Sequence, residues 1–172
     1  CIGRDLVQNW KEKFIIDFYG LSEEQARRNY PALMQRVTDY VKPERMEKQN
    51  ESQRNNWWIH ARPRIMLRNA MFGLGRYIGT CYTAKHRPFV MLDAAMLPDD
   101  GVVAIALDDF YHLGVLSSAI HHRWVLEAGG MLEDRPRYNH SECFVKFPFP
   151  AYTLEQQAKI RDLAEQLDKH RK

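Results

Sequence analysis

The sequence predicts an α+β domain: a mixed, largely antiparallel sheet flanked by helices, with a helical extension at its C-terminus. Three observations carry this. Short β-rich runs at residues 76–83, 89–92 and 102–107 succeed one another with no helix between them, as antiparallel neighbours do. Helical signals stand before and after that block instead of alternating with it. With 172 residues and 45% hydrophobic content, the chain can build one domain with a real core and a small appendage.

In chain order, Gly3-Arg4-Asp5-Leu6 reads as a turn and residues 13–18 as a strand. Ser22 with Gln25 forms a capping box, in which each side chain satisfies the other residue's backbone N–H. Pro31 suits the first position of a second helix, with Leu33, Met34, Val37 and Val41 at helical spacing. Pro43 restarts the chain. Residues 44–56 have Met46 as their one strong hydrophobe, which predicts a solvated helix or a connector. Trp57 and Trp58 then read as core anchors. A helix through Ile65, Leu67, Met71 and Phe72 stops at Gly73 and Gly75. Pro98-Asp99-Asp100-Gly101 is the turn between the second and third strands. Asp108 is expected to cap one helix to about Ala128, burying Phe110, Leu113, Leu116, Ile120, Trp124 and Val125. Residues 144–149 read as extended. Thr153 with Gln156 is a second capping box, opening a terminal helix with Ile160, Leu163, Ala164 and Leu167 in one narrow apolar stripe.

Charge is sorted along the chain. From Ser52 to Leu92 there is no acidic residue, yet Arg54, Arg62, Arg64, Arg68, Arg76, Lys85 and Arg87 lie there. Asp93, Asp99, Asp100, Asp108 and Asp109 follow before another base. A net charge of +3 conceals this local positive potential, whose natural partner is a polyanion such as nucleic acid. The plainer reading pairs these arginines with the later acids in an ordinary surface.

Several functions are disfavoured. No apolar run is long enough to span a membrane. Cys1, Cys81 and Cys143 are odd in number and far apart, which suits a reducing, cytoplasmic compartment and argues against a disulfide framework or zinc. Residues 72–79 resemble a glycine-rich cofactor loop, but the expected order is helix then strand, the reverse of what such a loop needs. Pro98-Asp99 lacks the following lysine of a metal-dependent nuclease. Ser117, Ser118, His121 and His122, with His112, share one predicted helix without a group to orient a catalytic imidazole. The opening Cys1, with no initiator Met, reads as part of a longer protein.

A set of strings is distinctive in its order. Gly3-Arg4-Asp5-Leu6 and Ile15-Ile16-Asp17-Phe18 come first, then Val41-Lys42-Pro43-Glu44-Arg45, Trp57-Trp58 and Arg62-Pro63-Arg64. Lys85-His86-Arg87, Asp108-Asp109-Phe110-Tyr111, Gly114-Val115-Leu116-Ser117-Ser118, His121 with Trp124, Pro136-Arg137-Tyr138, Cys143-Phe144 and Phe147-Pro148-Phe149-Pro150 complete it. Together they resemble the target recognition domain of MmeI-like restriction–modification enzymes and related bacterial N6-adenine DNA methyltransferases.

The resemblance implies a recognition domain over residues 1–150. The helix at 151–172 is expected to pack partly on a neighbouring helix or on a methyltransferase domain of the same polypeptide. It implies a double-stranded DNA partner and no catalytic centre in this chain, with S-adenosylmethionine bound outside it. Lys85, His86 and Arg87 are the first candidates for DNA contact, since bases at a strand-to-turn position reach phosphates or guanine. Arg76 and Tyr77 come next. Glu133, Asp134, Arg135 and Arg137 are implied to determine sequence: Arg pairs bidentately with guanine, and carboxylates accept from cytosine. The competing reading of that loop is an internal Arg135–Glu133 pair. Asp108 and Asp109 read as structural. The alternatives to a DNA-specificity module are a protein-interaction scaffold and the non-catalytic half of a composite nuclease site.

Overall fold

The computed structural model describes residues 1–7 and 13–171, and the chain divides into two compact units. One unit is Lys13–Ile65. Its helices are α1 (Glu23–Asn29), α2 (Pro31–Tyr40), α3 (Lys42–Met46) and α4 (Glu51–Asn55). The Ser22–Gln25 capping box forms with both reciprocal bonds, and Pro31 sits in the first turn of α2. Phe18, Ala26, Met34, Val37 and Trp57 make the core of this unit. Trp57 donates its indole N–H to Glu23 at 3.3 Å and lies beneath Lys42 Nζ, while Trp58 donates to Leu21 O at 2.9 Å. Both tryptophans are therefore anchors, as expected. Residues 13–18 are not a strand: among the described residues no strand runs beside them, and Phe14 is 88% exposed. Residues 44–56 resolve into the end of α3 and a short α4, with no buried residue in either helix.

The other unit joins Cys1–Glu12 to Met66–Lys172. Helix α5 (Ile65–Met71) is followed by Gly73, whose φ of 81° is the left-handed geometry that stops a helix. Strands β1 (Arg76–Cys81), β2 (Phe89–Asp93) and β3 (Val102–Ile105) form an antiparallel sheet in the order β2-β1-β3. Register runs Tyr77 to Leu92 and Ile78 to Met91 on one side of β1, and Ile78 to Ile105 on the other. The central strand is covered on both faces. Ile78, with Phe89, Met91 and Ile105, packs against Leu113, Leu116, Val125 and Ala164 of the helices. Tyr77 and Leu92 pack against Met71, with Leu6 and Leu67 beside them.

The helix expected over 108–128 is two helices, α6 (Phe110–Leu116) and α7 (Ala119–Ala128). Ser118 is the reason: its backbone is extended, and its hydroxyl accepts the His121 N–H at the start of α7. The break shifts the helical phase, leaving Ile120 76% exposed. The cap of α6 is Asp109, one residue after the expected Asp108. A two-residue hairpin follows, β4 (Met131–Leu132) with β5 (Arg135–Pro136), Glu133 and Asp134 forming its tip. Residues 144–149 are not an extended strand; His140–Phe144 form a π-helical turn and a proline-punctuated loop follows.

Helix α8 (Leu154–Arg171) opens on the reciprocal Thr153–Gln156 bonds and packs on α6. Its far end closes the sheet edge. Strand β2 is an edge strand, and its outward-facing groups need partners. Asp168, buried on α8, accepts the Met91 N–H at 3.3 Å, and Arg171 donates to Phe89 O at 3.0 Å. Leu163 of the predicted stripe is 55% exposed. No described helix is long and apolar enough to cross a membrane.

Candidate nucleic-acid interface

The link between β1 and β2 passes residues 82–88 alongside the β4–β5 hairpin, and backbone hydrogen bonds join the two. Tyr138 N–H donates to Tyr82 O at 2.7 Å, Ala84 N–H donates to Pro136 O at 3.4 Å, and Thr83 bridges to Arg137. Gly129 lets the Arg137 backbone come close to the end of α7: a Cβ there would lie 2.5 Å from Arg137 O and 2.6 Å from Val125 O. Seven of the nine sequence-predicted residues, drawn from two separate segments of the chain, thereby meet: Lys85, His86, Arg87, Glu133, Asp134, Arg135 and Arg137.

Their surroundings differ. Lys85 and His86 are exposed, and Lys85 Nζ lies 3.5 Å from Asp134 across the seam. Arg135 pairs with Glu133 within the hairpin. Glu133 holds the tip with a φ of 57°, a left-handed conformation uncommon for a residue with a side chain. Arg87 is partly buried. It donates to Cys81 O and, at 2.7 Å, to Pro136 O, and its guanidinium lies 5.1 Å from the centre of the Tyr138 ring. Burial holds its pKa below the usual arginine value. Arg137 Nε is buried with no acceptor among the described residues.

Arg76 and Tyr77 sit at the opposite end of β1 from this seam. Arg76 is exposed, donates Nε–H to Asp108 O at 2.9 Å and stacks 4.3 Å from the Phe110 ring centre. Tyr77 has no exposed surface, and its hydroxyl donates to Met96 O at 2.9 Å. Direct contact with a ligand is closed to that side chain; what it contributes is support for β1. Asp109 is structural as expected, capping α6 through the Tyr111 N–H and accepting two bonds from Arg161 of α8 at 3.0 and 2.6 Å. The Arg161 hydrogen bond in particular holds its carboxyl below the usual range. The His121 imidazole, read from the sequence as lying on the outer side of the helix, is buried instead, and its Nε2 meets the Tyr138 hydroxyl at 3.0 Å.

An open groove of about 1350 Å³ runs along the seam. Arg4, Lys85, Arg87, Arg135 and Arg171 line it, and Asp99 is the single carboxylate among its lining residues. His86 and His122 complete the polar wall. Asp99 is partly spent on the Gly101 N–H at 2.9 Å. Arg4, His122 and Arg171 were not singled out as ligand contacts by the sequence, because only the fold brings the first turn, α7 and the end of α8 to one place. The acid-free stretch is itself divided: Arg54, Arg62 and Arg64 belong to the Lys13–Ile65 unit, and Arg68, Arg76, Lys85 and Arg87 to the other. Among the described residues, no group of three or more His, Cys, Asp or Glu side chains is placed to hold a metal ion.

The family model of the MmeI target recognition domain matches residues 3–151 of this sequence. The chain belongs to the MmeI target recognition domain family. The match spans both compact units. A target recognition domain is the part of a restriction–modification enzyme that recognises DNA sequence, and the hairpin and groove lie on such a domain here. The solved structure of the Type IIL restriction–modification enzyme MmeI in complex with DNA matches at a TM-score of 0.66 and 21% identity, over 90% of this chain. At that identity the likeness concerns the fold. The match spans 20% of that longer protein. No curated protein matches the sequence.

Proposed function

We propose that this MmeI-type target recognition domain reads double-stranded DNA sequence for a bacterial N6-adenine methyltransferase or a fused restriction–modification enzyme. The observation that carries the reading is the cationic groove bordered by a hairpin of Arg and acidic side chains. The two parts suit different tasks. Phosphate contacts supply affinity and register, whereas contacts to base edges supply specificity. Arg4, Lys85 and Arg171 are the phosphate partners in this reading, with His86 beside them. Glu133, Asp134, Arg135 and Arg137 read bases. The MmeI enzyme whose fold this chain shares was solved bound to DNA, which supports the assignment.

The ion pairs of the hairpin fit the same role. Lys85–Asp134 and Arg135–Glu133 are solvent-exposed, and such pairs contribute about 0–1 kcal/mol. Their donors and acceptors transfer to base edges at small cost, and one bidentate base contact returns about 1–3 kcal/mol of discrimination. Methyl transfer, S-adenosylmethionine binding and any DNA cleavage belong in this reading to other parts of a longer cytoplasmic polypeptide. The exposed side of α8, including Leu163, is where a methyltransferase domain docks.

Selection of duplexes from a randomised library tests the reading. The protein is expected to enrich one consensus, and Arg135→Ala to relax or change it at one base pair, with affinity for unrelated duplexes altered by less than about tenfold. Enrichment of no consensus by the unaltered protein would contradict it and favour a scaffold role.

A further inference from the structure

We infer that Arg87 is a positioning residue for base recognition, a fork that fixes the hairpin, and not one of the phosphate contacts. This rests on the DNA-reading role proposed above. Three observations at one guanidinium support it. Its two terminal nitrogens are already engaged, one by Cys81 O at the end of β1 and one by Pro136 O at 2.7 Å in β5. Its guanidinium carbon lies over the ring of Tyr138, 5.1 Å from the ring centre, and Tyr138 is fully buried and hydrogen-bonded to His121 of α7. No carboxylate pairs with it among the described residues, so backbone carbonyls and an aromatic face hold the charge.

Pro136 directly follows Arg135, and its carbonyl accepts from both Ala84 N–H and Arg87. Arg87 therefore sets where the β5 backbone lies relative to the end of β1, one residue from the side chain assigned to read a base. Base readout is sensitive to such placement, because a bidentate contact needs both hydrogen bonds in plane and at length. Lysine cannot substitute: one ammonium on a flexible stem lacks the planar fork that reaches two carbonyls and stacks on a ring. Arg87→Lys keeps the charge at the groove wall and removes the fork, which separates the positioning role from an electrostatic one.

The test compares Arg87→Lys, Arg135→Ala and the double variant on the consensus duplex and on duplexes altered at the base pair that Arg135 governs. Arg87→Lys is expected to lower the consensus-to-altered ratio about tenfold while the salt slope of binding stays unchanged. In the double variant the ratio is expected to fall no further than in Arg135→Ala, because the two residues act in series. If Arg87→Lys leaves the ratio intact, or its loss multiplies with that of Arg135→Ala, the inference is overturned. A measurement on the unaltered protein covers the case in which the variant does not fold. The Arg87 guanidinium ¹⁵N signals should keep their shifts when non-consensus duplex is added, and movement of those signals would mark a phosphate contact. An unaltered protein that selects no consensus would remove the DNA-reading role itself, a result distinct from either outcome for Arg87.

Discussion

His121 is an imidazole sealed inside the domain, with Nε2 on the Tyr138 hydroxyl and the rings of Phe89 and Phe147 edge-on to it. Burial first, then the positive charges of Arg87 and His122, push its pKa from 6.5 down to about 4. Between those values the unfolded chain takes up a proton that the folded chain refuses, so stability rises with pH across that window. The contribution, about 3 kcal/mol, is complete above the unfolded value and is lost as pH falls toward the folded one. Urea midpoints at about pH 7 and about pH 5 should differ in the unaltered protein, and His121→Gln should shrink the difference. An undiminished pH dependence in the variant would assign it to other groups. This residue also shows what the sequence withheld. His121 was legible as one of a row of polar side chains on a helix, and its burial follows from the Ser117–Ser118 break, which turns α7 about its axis. Tyr77 misleads for a related reason. Five successive residues of β1 are buried, so the strand lacks the alternation that separates inward from outward side chains.

The contact between α6 and α8 is set by glycine. A methyl group on Gly114 would stand 2.6 Å from Ile160 Cγ2 and 3.2 Å from both Ala164 Cβ and Ile160 O. Alanine is the better helix former by about 1 kcal/mol, but overpacking costs about 1–3 kcal/mol, and here a backbone oxygen stands in the way. Gly114→Ala should lower stability by about 1 kcal/mol or more and loosen α8, visible as a lower melting temperature and faster amide exchange at Met91, whose N–H Asp168 accepts. A variant as stable as the parent would mean that the helices separate freely. Elements with a local code were readable in advance: the capping boxes at Ser22 and Thr153 and the glycine stop after α5 all form. Elements defined by a partner were not. Residues 13–18 have strand composition, but a strand exists only when another pairs with it, and none does among the described residues.

At the scale of the whole molecule, the candidate site is assembled from chain segments that share no sequence motif. Lys85, Arg87 and the 133–137 hairpin were visible as basic or mixed-charge strings. Arg4 and Arg171, near opposite ends of the chain, line the same groove because the first turn packs beside β1 and α8 covers the β2 edge. Charge along the sequence therefore pointed to a cationic surface while misplacing part of it, since three of the seven early bases lie in the other compact unit. The direct measurement is the affinity for duplex DNA as salt rises from about 50 to about 200 mM. Three phosphate contacts, from Arg4, Lys85 and Arg171, predict a slope of log affinity on log salt of about −3, and Lys85→Ala and Arg171→Ala should each make it shallower by about one. Absence of binding at the lowest salt, or an affinity indifferent to salt and to both substitutions, would contradict the groove as the DNA surface.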